Sequence, residues 1–274
     1  MAAPAALIAG YLLVTPAYSQ SLVDRVQVSS AQTVQTVPDI PCRDTARGCP
    51  DLVINDNKLN SATLATRTFT ASDCAVQEGQ VGGTGPRRLL EFPYSTPNMG
   101  PGALIIGDPL APENSHLFEW GACHGHYHFK KYAAYRLWTP EQFAAFEQAK
   151  ADPANRDMLT DDIIAQEGLQ PVVGTKRGFC VIDVSAAPEY TGQRDQMTYR
   201  ACGYGTTIHG NQGISVGWAD TYGKQLDGQW IDVTNVAEGD YILEVETNAQ
   251  HSFAEKDFNN NSASKPVKVT KSSP

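Results

Sequence analysis

Three of the chain's six histidines fall within five residues, in the run Glu119-Trp120-Gly121-Ala122-Cys123-His124-Gly125-His126-Tyr127-His128. A spacing of two suits few backbones. In a β-strand successive side chains point to opposite faces, so His124, His126 and His128 would share one face and Gly125 and Tyr127 the other. On a helix His124 and His128 would lie together with His126 nearly opposite. The strand is therefore the expected setting. Three neutral imidazoles on one face suit zinc, copper, iron or nickel. The competing reading is a His-rich surface strand, or a metal site without chemistry.

With 274 residues the chain is long enough for one substantial domain plus extras. A formal net charge of −9 argues against a nucleic-acid footprint. It favours cationic ligands instead. The segment Ala5 to Val14 is apolar but too short to span a bilayer comfortably, and Ala17-Tyr18-Ser19 fits a small-x-small cleavage site. Residues 1–19 are thus expected to be a signal peptide, residues 20–40 a flexible leader, and residues 41–274 the folded domain. A retained membrane anchor is the alternative for the first segment; no other stretch suggests a span. Export to a secreted or periplasmic location implies an oxidising compartment. The six cysteines (42, 49, 74, 123, 180 and 202) include no CxxC, and an even count in an exported chain reads as three disulfides with fifteen pairings open. Cys42 and Cys49 close a short loop and are the easiest local pair.

Strand signals dominate the rest. They cover Ser61 to Thr70, Leu89 to Phe92, Ala103 to Ile106, Phe129 to Trp138, Phe179 to Val184, Thr198 to Tyr204, Gln229 to Val233, Tyr241 to Glu246 and Val267 to Val269. Gly79 to Pro86 and Pro93 to Gly102 read as loops. Thr139-Pro140-Glu141-Gln142 has a cap, a proline at the first helical position and Gln at the third, so a helix should run to about Lys150. Thr160 is expected to cap a second, over Asp161 to Glu167, ended by Gly168. These helices form an insertion that either walls a site or simply packs. The fold class is mainly β, an antiparallel β-sandwich with long loops and a small helical insertion.

The stretch Glu119-Trp120 followed by Cys123-His124-x-His126-Tyr127-His128 resembles the copper-binding segment of the lysyl oxidase family. Three further blocks agree in order: Lys176-Arg177-Gly178-Phe179-Cys180; Trp218 to Gly223 with Gln229 to Thr234 and Gly239 to Leu243; and Asp257-Phe258-Asn259-Asn260-Asn261. The resemblance runs from about Asp51 to the C-terminus. It implies that His124, His126 and His128 hold Cu(II), and that Tyr222 becomes the organic cofactor by cross-linking with Lys176 to give lysine tyrosylquinone. The implied activity is oxidative deamination of a primary amine, a lysine side chain in a peptide or protein or a related amine, to an aldehyde. Oxygen is consumed, and hydrogen peroxide and ammonia are released. Asp220, two residues from Tyr222, is the candidate base; a carboxylate there needs a raised pKa to work near neutrality.

The resemblance also implies a second ion. Asp51, the Leu52 carbonyl, Glu255, Asp257, Asn260 and Asn261 offer hard oxygen ligands that suit calcium. Gln80, Ala186, Trp218 and Gly228 stand where the family's animal members carry cysteines, which is consistent with two lost bridges and with the pairs Cys74–Cys123 and Cys180–Cys202 remaining. Gly121 replaces a histidine often found just before the ligand motif. Two rivals stay open: a non-catalytic copper- or zinc-binding β-sandwich, and a structural or adhesion domain.

Overall fold

The computed structural model describes residues 38–176 and 178–271. The expected signal peptide and most of the leader lie outside the described residues. Ile40 already belongs to the core: it is buried, its N–H bonds Ser252 O at 3.0 Å, and it bridges Phe253 in parallel.

The protein is mainly β, built from several small antiparallel sheets. Strands β1 (Thr63–Phe69), β2 (Gly85–Glu91), β3 (Tyr94–Pro97) and β4 (Leu104–Gly107) come first. Then follow β5 (Phe118–Gly121), β6 (His126–Phe129), β7 (Ala133–Trp138), β8 (Val172–Val173) and β9 (Ser185–Ala186). The last five are β10 (Gln212–Ile214), β11 (Trp218–Tyr222), β12 (Trp230–Asp232), β13 (Gly239–Thr247) and β14 (Ser262–Val269). The helices are α1 (Asp56–Leu59), α2 (Cys74–Gln77), α3 (Pro140–Lys150) and α4 (Thr160–Gln166). The sheets run β1-β2-β12, β10-β4, β3-β11-β9, β14-β13-β7-β8 and β5-β6.

One aromatic-rich core joins these sheets: Phe92 and Tyr94 from the β2–β3 corner, Phe129, Tyr132 and Tyr135 around β6 and β7, and Phe179. Their rings meet mostly edge to face, as in Phe92–Tyr135 at 4.8 Å and Tyr94–Tyr132 at 5.8 Å. Strand β13 shows why the four-stranded sheet is buried on both sides. Leu243 and Val245 face the core, while Glu244 and Glu246 alternate to the other face and are also buried. There Arg136 of β7, 1% exposed, ion-pairs with Glu246 at 2.6 Å and with Asp161 of α4 at 2.9 Å. Trp138 donates to Glu244 at 2.7 Å.

The helical insertion covers this polar face. Thr139 caps α3 as expected, its hydroxyl accepting from Gln142 N at 3.2 Å. Trp138 stacks on Phe146 at 5.0 Å, and Ile163 completes a small cluster. Thr160 departs from expectation. Leu159 holds the cap position, and the Thr160 hydroxyl donates to Glu246 at 2.7 Å because that buried carboxylate is the more demanding partner. The stretch 93–102, expected as a loop, contains β3, which pairs with β11 through Tyr94↔Tyr222. Phe179 to Val184 and Thr198 to Tyr204 form only isolated bridges, since the disulfide and side-chain bonds there replace a regular ladder.

Candidate metal and cofactor site

The histidine run folds differently from a plain strand. Strands β5 and β6 pair through Phe118↔Phe129, Glu119↔His128, Trp120↔Tyr127 and Gly121↔His126. His126 and His128 alternate on one face of β6, but His124 sits in the connecting turn. That turn is closed by His124 N and Gly125 N, both donating to Gly121 O, with Gly125 at φ +69. A left-handed residue there is easy only for glycine. The turn brings the His124 ring back over the others: centroids lie 5.7 Å from His126 and 5.3 Å from His128, with His126 and His128 4.9 Å apart. The Nε2 atoms of His126 and His128 are 3.1 Å apart.

Burial, and after it the neighbouring Lys176 charge, pushes the His128 pKa down to about 3; burial also lowers His126. The two β6 imidazoles are thus held neutral, the form in which imidazole binds metals. His124 Nε2 is buried without a hydrogen-bond partner and lies 3.5 Å from Glu78 Oε2. Among the described residues no three His, Cys, Asp or Glu side chains are already closed into a coordination sphere. The rings are gathered rather than closed. An orphaned ring nitrogen and neutral imidazoles nonetheless form a donor set that fits a borderline divalent metal.

Lys176 reaches the same place by another route. Phe129 and Phe179 exchange two backbone hydrogen bonds, at 2.7 and 3.1 Å, so the segment after β8 runs beside the end of β6. A cavity of about 390 Å³ opens there, lined by Lys176, His128, Cys123, Glu78, Gln80 and Glu119 among others. Lys176 is 9% exposed, and its Nζ lies 5.2 Å from the Phe179 ring centre. Burial pushes its pKa down, while Glu78, Asp227 and Glu119 pull it back up. The stem of Lys176 lies across Gly228, where φ is +78 and any Cβ would come within 2.5 Å of Lys176 Cδ.

Tyr222 also packs on Phe179. Its ring centre is 5.0 Å from Phe179 and 6.3 Å from Tyr94, and its hydroxyl donates to Cys180 O at 2.6 Å. The hydroxyl is directed into the interior, where burial raises its pKa well above normal, while part of the ring stays accessible. Lys176 and Tyr222 thus share one neighbour, the Phe179 ring. Asp220, on the same face of β11 as Tyr222, is fully buried, and burial raises its pKa well above the ordinary carboxylate value against the opposing pull of nearby donors, Tyr222 first among them. It does not line the cavity that contains Lys176.

Two of the three expected disulfides are formed, Cys42–Cys49 and Cys180–Cys202. The third is not: Cys74 and Cys123 are free thiols. They are neighbours, and a hydrogen bond from Cys74 is the main reason the Cys123 thiol is pushed up to about 11. Cys123 also contacts Gln77 Oε1 at 3.6 Å. Gly121 leaves room for the His128 ring, whose Cε1 would be 2.8 Å from a Cβ at that position.

Most of the expected second-ion residues also converge. Glu255 is buried and accepts from Leu52 N at 2.6 Å, Asn248 at 2.8 Å and Asn261 at 2.7 Å. Asn260 donates to Asp51 at 2.9 Å. Burial pushes Glu255 up to about 8. The amide oxygens of Asn260 and Asn261 are buried without partners, which fits a hard cation. Asp257 instead accepts from Asn259 N and Nδ2, closing its own loop. The Leu52 contact seen is through its N–H rather than its carbonyl.

Glu78, Gln80 and Phe179 received no role from the sequence. The signal for the first two was indirect. With Cys74 beside Cys123, residues four and six further on must lie near His124.

The Lysyl oxidase family model matches residues 50–273. Lysyl oxidase homolog 1 of Homo sapiens is 32% identical over 225 residues, 78% of this chain and 32% of that protein. Lysyl oxidase homolog 2A of Danio rerio is 30% identical over 230 residues, 81% of this chain and 25% of that protein. The chain thus spans about a quarter to a third of the length of the curated relatives it matches.

Proposed function

The chain belongs to the lysyl oxidase family, and on that premise we propose that it is an extracytoplasmic amine oxidase that uses copper and a lysine tyrosylquinone made from Lys176 and Tyr222. The observation that carries this reading is the shared cavity. Lys176 and the His128 imidazole line one wall, and Tyr222 lies one aromatic ring behind it. Together the two groups supply the oxidation of a primary alkylammonium, with one water and one O2, to an aldehyde, ammonium and hydrogen peroxide. The substrate is a primary amine, a peptidyl lysine or a related amine.

The chain's own residues prepare this chemistry. His124, His126 and His128 would hold the metal, with burial keeping the two β6 rings unprotonated. Desolvation of Lys176 favours the neutral amine, the form able to add to an oxidised ring. Phe179 and Tyr94 hold the Tyr222 ring, and the Cys180 carbonyl fixes its hydroxyl. Asp220 is kept as the candidate base, acting only on what reaches Tyr222; burial moves its pKa upward, the direction that work near neutrality requires. Asp51, Leu52, Glu255, Asp257, Asn260 and Asn261 would bind calcium and join the start of the domain to its C-terminal loop. Two closed disulfides fit a secreted or periplasmic protein. Among the described residues no helix is long and apolar enough to cross a membrane.

Copper-loading the purified protein, then staining for quinone and following amine-dependent peroxide, tests this proposal. Both signals should appear in the wild type and vanish in Tyr222→Phe. A protein that binds copper but never stains for quinone would make it a metal-binding module.

A further inference from the structure

The cavity beside the histidines contains more polar groups than metal binding or cross-linking requires. Glu78 faces it from the end of α2, with its side chain about a quarter exposed, and accepts from Gln80 Nε2 at 2.7 Å. Glu119 faces it from β5 and leans on Gly178, where a Cβ would come within 2.5 Å of Glu119 Oε1. Gln80 is only 6% exposed, lines the cavity, and leaves its Oε1 buried with no hydrogen-bond donor. Such an orphaned acceptor costs about 1–3 kcal/mol unless a donor reaches it. Among the described residues Lys176 is the one lysine or arginine lining the cavity, and neither hydrogen bond nor ion pair reaches its Nζ. Its four-carbon stem threads over Gly228, which also borders Gln80 Oε1.

We propose that this cavity is a subsite shaped for an unbranched alkylammonium, with Glu78 and Glu119 as charge partners and Gln80 Oε1 as an added acceptor, and that Lys176 occupies it in place of substrate until its nitrogen is committed to the cross-link. The inference rests on the amine-oxidase reading and adds the residues that select the substrate. Before cross-linking, the lysine stem fills the channel and partly offsets its negative charge. Once the lysine nitrogen is tied into a ring and carries no ammonium, the carboxylates lose their cation while the orphaned acceptor persists. An incoming lysine-like side chain, protonated at neutral pH, has the length, shape and charge of what has just left. Neutral alcohols of the same length match the shape alone.

The test uses metal-free full-length protein, in which no quinone forms, so its outcome is independent of whether the oxidase reading holds. Lys176→Ala is titrated calorimetrically with n-butylammonium and with 1-butanol. Butylammonium should bind the variant at least about tenfold more tightly than it binds wild type, and at least about tenfold more tightly than butanol binds the variant. Adding Glu78→Gln or Gln80→Leu in the same background should remove most of that preference. Lys176→Met, which keeps the bulk of the stem, is titrated with methylammonium against methanol and covers the case in which alanine lets the channel collapse. Equal affinity for the alcohol, binding unchanged by either second substitution, or no binding to either variant would each overturn the proposal.

Discussion

Two buried polar regions lie within one fold, and they are finished to different degrees. Around Arg136 the protein completes its own electrostatics. Glu244, Glu246 and Asp161 surround one guanidinium, and Trp138 and Thr160 supply the remaining donors. Around Lys176 and the three histidines it does not. Among the described residues, a lysine whose Nζ makes no hydrogen bond and a glutamine oxygen without a donor line one cavity, and the His124 ring nitrogen beside it also lacks a hydrogen-bond partner. Leaving buried polar groups unmatched is costly, so a chain that can match them in one place and does not in another is reserving the second place for something else. The first region holds the insertion onto the sheet. The second awaits ligands.

The contrast is sharpest in variants. Lys176→Met should abolish amine-dependent peroxide altogether while shifting urea unfolding by no more than about 1 kcal/mol, because a desolvated ammonium is lost while the bulk of its stem is kept. Arg136→Met should do the reverse. Leaving Glu244 and Glu246 buried without their cation should cost about 3–5 kcal/mol in unfolding free energy, with peroxide production per folded molecule unchanged. A catalytic loss in Arg136→Met at full folding would break the division between the regions.

The oxygen-rich junction around Glu255 falls between the two. Burial raises the folded pKa of Glu255 to about 8, above its unfolded value, so folding favours the protonated form. Its stabilising contribution is complete below about pH 4.5 and is lost as pH rises through about 8. Calcium at about a hundred times its dissociation constant should restore about 2.7 kcal/mol, more at pH 8 than at pH 5, as read by thermal unfolding. Glu255→Gln should remove that gain; an equal gain in the variant would place calcium elsewhere.

A last effect concerns His128, read per pH unit. Its folded pKa, about 3, lies below the ordinary value, so the unfolded chain binds the extra proton first. In metal-free protein its contribution is complete above about pH 6.5 and fades as pH falls toward 3, with a slope no steeper than about 1.4 kcal/mol per unit. His128→Gln should flatten that part of the stability curve. An unchanged slope would assign the acid sensitivity to another group.

Much of this was legible in the chain. The alternation of His126 and His128 needed nothing beyond strand geometry, and the Thr139 cap was read from four residues. His124 was harder, because its ring returns through a turn closed by backbone bonds to Gly121, which no side-chain period encodes. Lys176 and Tyr222 have no local signal at all; only resemblance in order and spacing pointed to them. Phe179 against both of them is a tertiary fact, set by its bridge to Phe129. Thr160 misled because a hydroxyl ahead of a helix looks like a cap until a buried carboxylate competes for it. Cys74 and Cys123 were rightly brought together, but proximity is set by the fold, and whether two thiols join is set by their sulfur distance and redox surroundings.

Gly228 and Gly121 carry one further consequence, for how such a protein can diversify. Each is held open by a neighbour that cannot be given up: the Lys176 stem over one, the His128 ring over the other. A side chain at either position in this chain would have to displace the lysine stem or the imidazole, so a change there must come with a rearrangement of the group above it. The rim carries no such constraint. Trp120 and Glu119 are exposed at the mouth, and Gln77 sits beside them at the end of α2. New amine preferences are therefore easier to reach by changing the entrance than by changing the two glycines.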